Sequence, residues 1–260
     1  MPAATILIPT HEHIACLPHS VASALAQTVQ DFELFIVGDG VSAESRAIIA
    51  ELAATDSRIR FFDFPKGERK GERHRHAALM QATGKIVAYL GDDDIWLPNH
   101  LETFLELLDD ADFGNTMHIG IGRSGEWLVL PGNLADPAWR ARMLNESFNF
   151  FDFTFGGHTL EAYRRLPGWA PPIDCPWSDL YMWRQFLAQP WCRAKSAMIP
   201  TGICTQTHLR PNRSDHERAE ELVTLRSSLK TAKVRKTLRK AIAKSFAKVK
   251  LRPDMSALED

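Results

Sequence analysis

Short apolar runs alternate with helix-like stretches through the first hundred residues of the chain. Four of these runs are rich in β-branched and aromatic residues and are each closed by glycine or proline, as buried strands are. They lie at residues 5–8, 33–37, 59–62 and 85–90. The spacing between them predicts helices over 17–27, 43–55 and 73–82, and Pro98 favours the start of another. Repeated strand–helix–strand units predict an α/β fold, with a mostly parallel central sheet flanked by helices.

The alternation breaks down after about residue 115. The elements predicted there are strands at 119–121 and 127–130, an extended aromatic segment at 148–155 and a helix at 179–187. Neither an internal repeat nor a low-complexity linker separates them from the first part of the chain. We therefore expect one domain over 1–221, built from a first half (1–114) and a second half (115–221).

The last forty residues differ from the rest in charge. The whole chain has a net charge of −1, yet residues 222–253 include eleven Lys or Arg and no Asp or Glu. Apolar residues recur there every three or four positions, namely Val234, Leu238, Ile242, Phe246 and Val249. We therefore expect 222–260 to be a basic amphipathic helical tail, of the kind that lies on anionic membrane surfaces. Packing of the stripe on protein is the alternative. Nucleic acid is disfavoured as a partner, because the rest of the chain is acidic and has no RNA-binding motif.

Composition and targeting signals indicate a compartment. Hydrophobic residues make up 45% of the chain and charged residues 24%, which is ordinary for a globular protein. No apolar stretch approaches the ~18 residues of a membrane-spanning helix, and the N-terminus lacks the pattern of a secretory signal. The four cysteines are widely spaced, as suits a reducing environment. We expect a cytoplasmic location, with peripheral binding to the inner face of the membrane through the tail.

Three adjacent carboxylates, Asp92, Asp93 and Asp94, directly follow the fourth predicted strand. Like charges at this spacing raise one another's pKa values unless a cation is present. Mg²⁺ and Mn²⁺ take oxygen ligands, and one or two carboxylates together with substrate phosphates commonly hold them. The cluster therefore predicts a divalent-metal site. The alternative is a solvated acidic turn in which Asp94 caps the next helix.

Two further segments carry residues suited to a nucleotide. Asp39 ends the second predicted strand, where it could accept hydrogen bonds from a base or a ribose, although Asp-Gly turns are common in any protein. Arg75 lies near the start of a predicted helix, where its guanidinium could engage phosphate, although a solvated basic helix face is an equal alternative.

Taken in order, these segments resemble the family 2 glycosyltransferases, which have the GT-A fold. The matching segments are 6–10, 20–28, 31–40, 75–84 and 92–98. The resemblance is strong over about 4–110 and weaker over 145–215, and it is closest to the polysaccharide-assembly type typified by the bacterial spore-coat enzyme SpsA. It implies that 1–114 is a half that binds the nucleotide sugar and that 115–221 is an acceptor half.

The resemblance also implies a role for each matching residue. Pro9, Thr10 and His11 would line the nucleoside pocket, Asp39 would contact the base, Arg75 would hold the nucleotide, Asp92 would contact the ribose, and Asp93 would bind Mn²⁺ or Mg²⁺. On a late loop, His208 and Arg210 would close over the diphosphate. The chain departs from the family pattern at His11-Glu12, at Gly38-Asp39-Gly40 and at Gly91.

An inverting transfer needs a base that deprotonates the acceptor hydroxyl. The family supplies an Asp or Glu at a helix start in the second half, and Asp179 matches that position, with Asp174 as the second candidate. The alternative is an ordinary acidic residue at a helix N-terminus, where the helix dipole favours it.

The sequence thus predicts an inverting, metal-dependent glycosyltransferase. It would move a sugar from a nucleotide-diphosphate donor to a glycan or lipid-linked acceptor in bacterial surface polysaccharide synthesis. Two alternatives remain, a nucleotidyltransferase acting on a sugar phosphate and a non-catalytic membrane-adaptor domain. A Rossmann dehydrogenase is disfavoured, because no GxGxxG loop follows the first strand.

Overall fold

The helices and strands are assigned from a computed structural model that describes residues 1–11 and 13–259. The strands are β1 Ala4–Thr10, β2 Phe32–Asp39, β3 Ile59–Phe64, β4 Ile86–Tyr89, β5 Ile95–Trp96, β6 Phe113–Ile121, β7 Trp127–Leu130, β8 Gly156–Thr159, β9 Ala194–Pro200 and β10 Gly202–Ile203. The α-helices are α1 Leu17–Leu25, α2 Ala43–Thr55, α3 Glu72–Leu79, α4 His100–Leu107, α5 Pro137–Asn145, α6 Leu160–Arg164, α7 Ser178–Leu187, α8 Asp215–Ser228 and α9 Ala232–Lys248. All the strands and helices predicted before residue 115 are present, with ends shifted by a few residues.

The first four strands form a parallel sheet in the order β3-β2-β1-β4. Strand order reverses at β1, which pairs with β2 on one side and with β4 on the other. In open α/β sheets, ligands bind in the crevice at the carboxyl ends of such strands. The reversal therefore brings Thr10, Asp39 and the segment after Tyr89 to one edge of the sheet.

Both faces of this sheet are buried, which explains why its strands are nearly continuous apolar runs. Along β1, Leu7 packs into one apolar cluster while Ile6 and Ile8 pack into the other. Along β2, Phe35 and Leu34 divide between the same two clusters. A parallel sheet covered on both sides needs this composition, so the predicted α/β fold is confirmed.

The second half extends the same sheet with antiparallel strands. β8 pairs antiparallel with both β4 and β6, β7 pairs antiparallel with β6, and β9 pairs parallel with β6. The mostly parallel arrangement therefore belongs to the first half. The predicted limit between the halves, after residue 114, falls within β6.

The sequence predicted an extended aromatic segment at 148–155, but the structure shows a turn there. Phe153–Phe155 forms a 3₁₀ turn, and the Asp152 carboxylate accepts a hydrogen bond from the backbone N–H of Thr154. Phe150, Phe151 and Phe155 are all buried in the same cluster. A strand would direct neighbouring side chains to opposite faces, so the chain must turn to bury all three on one side.

The basic tail forms helices, but its apolar stripe lies against the rest of the chain. Leu238, Ile242 and Phe246 are at most 1% exposed, and they belong to a cluster with Ile119 of β6 and Val129 of β7. The expectation that this stripe contacts a membrane is therefore wrong, since the chain's own sheet covers it. The predicted limit after residue 221 also falls inside α8. Among the described residues, no helix has both the length and the hydrophobicity needed to cross a bilayer.

Removal of the Phe246 side chain is expected to destabilise the whole domain. Phe→Ala in a filled core costs about 3–5 kcal/mol, because burial energy is lost and a cavity remains. The Lys244→Ala variant, at an exposed position on the same helix, should change the free energy of unfolding by less than about 0.5 kcal/mol. Urea unfolding of the two variants measures the difference. Equal stabilities would show that α9 does not belong to the core.

Candidate functional site

Of the carboxylates after β4, Asp92 and Asp94 are buried and Asp93 is partly buried, and two other parts of the chain hold the segment in place. Asp93 Oδ2 accepts a hydrogen bond from Thr205 Oγ1 at 3.2 Å, and Asp94 Oδ1 accepts one from the Thr205 backbone N–H at 2.9 Å. The hydroxyl of Thr154 also donates to Asp94. Asp94 therefore braces the turn rather than capping the next helix, whose N-cap is Asn99.

His13 completes this cluster, and the sequence analysis did not select it. Its Nδ1 lies 3.3 Å from Asp92 Oδ1, and ligand atoms of His13, Asp92 and Asp93 all lie within 4.8 Å of one another. One nitrogen and several carboxylate oxygens at this spacing fit a divalent ion. The signal available in the sequence was a second histidine two residues after His11.

The electrostatics of the cluster also favour a cation. Burial, followed by repulsion from Asp92, raises the pKa of Asp93 to about 6. Burial and repulsion from Asp93 raise the pKa of Asp94 well above its ordinary value. The hydrogen bond to Asp92 raises the pKa of His13 to about 9. At Asp93 and Asp94, burial and the neighbouring carboxylates both disfavour negative charge, and a divalent ion would neutralise that charge.

Asp39 ends β2 at the same edge of the sheet and is nearly fully buried. Its Oδ2 accepts from Lys66 Nζ at 2.5 Å, and its Oδ1 accepts from the Gly67 backbone N–H at 2.6 Å. Burial opposes ionisation, but these two hydrogen bonds outweigh it and lower the pKa of Asp39. A nucleobase reaching Asp39 would therefore also meet Lys66, which follows the end of β3.

Arg75 is buried on α3 and points toward the second half. Its Nη2 donates to the Lys70 carbonyl at 2.8 Å, and its guanidinium lies about 5 Å from the ring centres of Phe153 and Trp169 (5.2 and 5.1 Å). Burial lowers the pKa of Arg75, while Glu72 and Asp179 oppose that shift. The structure thus rules out a solvated helix face for this residue.

Asp179 lies in the first turn of α7 and is partly buried. Its Oδ1 accepts from the Leu180 backbone N–H at 2.7 Å, and its Oδ2 accepts from Asn149 Nδ2 at 3.1 Å. Burial, followed by repulsion from Asp152, raises the pKa of Asp179 to about 7. The second candidate, Asp174, is exposed and has a left-handed backbone (φ 51°).

The segment 149–154 connects Asp179 with the carboxylate cluster. Asn149 at one end binds Asp179, and Thr154 at the other binds Asp94. Six residues span at most about 20 Å even when extended, and this segment turns. Asp152, between them, raises the pKa values of both Asp94 and Asp179. The two groups therefore lie near each other, and the charge of Asp152 acts on both.

The remaining predicted residues lie around this crevice. Pro9 and Thr10 end β1, and His11 follows directly. On the late loop, His208 is exposed, whereas Arg210 is buried. Arg210 Nη1 binds Glu221 at 2.6 Å and its Nη2 donates to the Thr205 carbonyl, so Arg210 braces the loop that holds Asp93 and Asp94.

Solved glycosyltransferase structures share this fold. The Staphylococcus aureus TarS fragment 1–349, whose complex with UDP-GlcNAc is also known, superposes with a TM-score of 0.61 over 94% of this chain and 72% of its own, at 15% identity. A Pyrobaculum calidifontis mannosyltransferase in complex with GDP-Man and Mn²⁺ gives 0.57 over 98% of this chain and 77% of its own, also at 15% identity. At this identity the likeness shows the GT-A fold alone.

Curated relatives match a shorter part of the chain. A Nostoc glycosyltransferase of unassigned substrate is 33% identical over 44% of this chain and 35% of its own length. An Escherichia coli glucosyltransferase, WfgD, is 31% identical over 40% of each chain, and its name gives UDP-Glc as donor and a GlcNAc-diphosphoundecaprenol as acceptor. The chain thus spans well under half the length of these relatives. The profile of the family described as Glycosyl transferase family 2 matches residues 5–165, more than half of the chain, and the chain therefore belongs to that family.

Proposed function

We propose that the domain is an inverting, metal-dependent glycosyltransferase. It transfers a sugar from a nucleotide-diphosphate donor to a hydroxyl of a glycan or lipid-linked acceptor in the synthesis of a bacterial surface polysaccharide. One observation supports this proposal: the segment 149–154 contacts Asp179, a partly buried carboxylate whose pKa burial raises to about 7, at one end and Asp94 of the cluster at 92–94 at the other.

The donor would lie along the carboxyl ends of β1, β2 and β4. Thr10 and His11 follow β1, while Asp39 and Lys66 offer an acceptor and a donor beside each other for the edge of a nucleobase. Asp93, with His13 and Asp92 within reach, would hold Mn²⁺ or Mg²⁺. When bound, such an ion supplies positive charge that stabilises the leaving diphosphate.

Asp179 would act on the acceptor. A carboxylate with a pKa near 7 can take a proton from a hydroxyl at physiological pH more readily than one near 4. The hydrogen bond from Asn149 fixes the orientation of the carboxylate, and Oδ2 is the oxygen that this amide holds. The deprotonated hydroxyl then attacks the anomeric carbon from the face opposite the diphosphate, which inverts the configuration.

The nucleotidyltransferase alternative also uses strand-end carboxylates and a metal ion. It would attack phosphorus and release pyrophosphate, with no need for a second buried carboxylate positioned as Asp179 is. The products separate the two reactions. Incubation with UDP-, GDP-, CDP- and dTDP-sugars and Mn²⁺ should release the nucleoside diphosphate, slowly to water or faster to an acceptor. Release of pyrophosphate from a nucleoside triphosphate and a sugar phosphate would contradict the proposal.

The base of the donor can be identified without an acceptor. A ligand at 100 times its dissociation constant stabilises the fold by about 2.7 kcal/mol. A thermal-shift series with UDP, GDP, CDP and dTDP, each with and without Mn²⁺, should therefore raise Tm for the matching diphosphate and raise it more with the metal. No shift with any of the four would favour the non-catalytic adaptor.

Peripheral membrane binding would depend on charge alone. The apolar stripe of α9 is buried, but Lys233, Lys236, Lys240 and Lys244 are exposed along the helix. Basic residues near an anionic leaflet contribute about 1 kcal/mol each, and the attraction decays within a Debye length. The name of WfgD gives a lipid-diphosphate acceptor, and an enzyme acting on such an acceptor would benefit from residing at that surface.

Replacement of these four lysines by glutamine is expected to weaken binding to anionic vesicles at least about tenfold at low salt. Exposed exchanges of this kind change stability little, unlike deletion of α9, which would expose the core. Co-sedimentation of the wild type and the variant over a salt series, with neutral vesicles as control, measures the effect. Equal sedimentation of the two proteins would remove the reason for placing the enzyme at a membrane.

A further inference from the structure

The loop between β1 and α1 holds His13 against the carboxylate cluster. The His13 carbonyl accepts hydrogen bonds from the backbone N–H groups of Cys16 and Leu17, both at 3.1 Å, so the first turn of α1 fixes its backbone. Asp215, at the start of α8, accepts from the Ala15 N–H at 2.8 Å and fixes the loop from the other side. The position of His13 is thus set by two helices rather than by its contact with Asp92.

The His13 ring faces the cluster and remains accessible to an ion. Its side chain is 34% exposed, whereas that of Asp92 is 12% exposed. Ligand atoms of His13, Asp92 and Asp93 lie within 4.8 Å of one another, close to the separation of two ligands on opposite sides of one ion with bonds of about 2.2 Å. Cys16 does not join them as a thiolate, because burial raises the pKa of its thiol well above the ordinary value.

We propose that His13 is a ligand of the divalent ion together with Asp93, and that this imidazole makes the site selective for Mn²⁺ over Mg²⁺. The proposal rests on the proposed function, which places the ion at Asp93. Mg²⁺ demands oxygen ligands and gives up water reluctantly, whereas first-row transition ions accept imidazole nitrogen. A site with one nitrogen ligand therefore loses little for Mn²⁺ and more for Mg²⁺.

The simpler role for His13 is a hydrogen bond that orients Asp92. The two roles differ in whether nitrogen is bonded to the metal, which can be measured without substrate or activity. Three-pulse electron spin-echo modulation of protein-bound Mn²⁺, with no nucleotide present, reports directly coordinated imidazole ¹⁴N. We expect this modulation in the wild type, and we expect protein containing ¹⁵N-histidine to replace it with the ¹⁵N pattern.

Two variants assign the signal to a residue. In His13→Asn, the side-chain oxygen of asparagine occupies about the position that Nδ1 has in the wild type. An oxygen ligand therefore remains, while the ¹⁴N modulation should disappear. His19→Asn, a matched exchange on α1 away from the cluster, should keep it. Competition by Mg²⁺ provides a second measurement: the excess of Mg²⁺ needed to displace Mn²⁺ should fall by roughly tenfold or more in His13→Asn, since even residues that only support a ligand change affinity by 10–100-fold.

Failure of this inference can be told apart from failure of the proposed function. Mn²⁺ that binds the wild type and is lost in Asp93→Asn, but shows no ¹⁴N modulation, would overturn the role of His13 and leave the metal site at Asp93. Modulation that persists in His13→Asn would also overturn it. No binding of Mn²⁺ to the wild type, either alone or with any of UDP, GDP, CDP and dTDP, would overturn both. The ¹⁵N-histidine measurement uses the wild type, so the outcome does not depend on the variants folding.

Discussion

The Asp179→Asn variant is expected to transfer sugar roughly 10²–10⁴ times more slowly than the wild type, the range that general-base catalysis supplies. Asparagine keeps the size of the side chain, and its amide oxygen can still accept the hydrogen bond from Leu180, but its amide nitrogen cannot accept the one from Asn149 and the side chain cannot take a proton. Steady-state rates with a matched donor and acceptor measure the loss. Donor binding, followed by thermal shift, should barely change because the role proposed for Asp179 concerns the acceptor.

Asp174→Asn is the matched control, because it removes the other candidate carboxylate from an exposed position. That variant should transfer sugar at close to the wild-type rate. Near wild-type activity in Asp179→Asn combined with a large loss in Asp174→Asn would reverse the assignment of the base.

The pH dependence provides a second signature of Asp179. A base must be ionised, and burial raises the pKa of Asp179 to about 7, so the wild-type rate should fall roughly tenfold per pH unit below that value. The residual activity of Asp179→Asn should lack this dependence. Activity that stays constant down to pH 5 would contradict the raised pKa and the role assigned to it.

The raised pKa of Asp179 favours catalysis but lowers the stability of the fold at neutral pH. A carboxyl whose pKa is raised on folding binds more protons in the folded state, so its ionisation destabilises the fold increasingly between about pH 4 and pH 7. At pH 8, the free energy of unfolding of Asp179→Asn should therefore exceed that of the wild type by roughly 2–4 kcal/mol. The difference should shrink toward pH 4. The base is thus kept at a cost in stability, as is common at active sites.

The strand ends could be predicted because burial and chain breaks both leave local signals. β1, β2 and β4 are apolar runs closed by glycine or proline, and polar residues directly follow each of them, so Asp39 and Asp92 fall at the same edge once the strands pair in parallel. The pairing of these strands can be inferred without knowing how their side chains pack. The positions of Asp39 and Asp92 at one edge of the sheet could therefore be predicted from the sequence.

His13 and Asp152 could not be found in this way, because their partners are distant in the chain. His13 meets Asp92 across 79 residues, through a loop whose path depends on Asp215. Asp152 lies within an aromatic run, where the apolar pattern suggests a strand, and only the 3₁₀ turn brings it between Asp94 and Asp179. Local periodicity carries no information on such turns.

The tail shows a different limit of sequence reasoning. A stripe at three- and four-residue spacing identifies one apolar helix face, but the same pattern fits a membrane surface and a protein surface. The choice depends on whether another element has an uncovered apolar face. Here β6 and β7 present Ile119 and Val129, which α9 covers, while the charged face of α9 stays exposed.

The Asp93→Asn variant should lose the metal-dependent part of nucleotide binding. Asparagine can keep the hydrogen bond with Thr205 but removes the negative charge that an ion needs. Loss of a residue that only supports a ligand costs 10–100-fold in affinity, so loss of the ligand itself should cost at least about 100-fold. Titration of the diphosphate identified in the thermal-shift series, with and without Mn²⁺, measures this.

Loss of binding in Asp93→Asn could not be attributed to unfolding. Because burial and Asp92 raise the pKa of Asp93 to about 6, its charge destabilises the metal-free fold above that pH. The variant should therefore be at least as stable as the wild type at pH 7.5 without metal. Asp109→Asn, which removes an exposed carboxylate paired with Lys85 at the opposite end of β4, is the control and should bind as the wild type does. If Asp93→Asn bound the diphosphate with undiminished Mn²⁺ dependence, the ion would have to be held elsewhere. The negative charge of the cluster at 92–94 would then no longer be a reason to place the donor beside it.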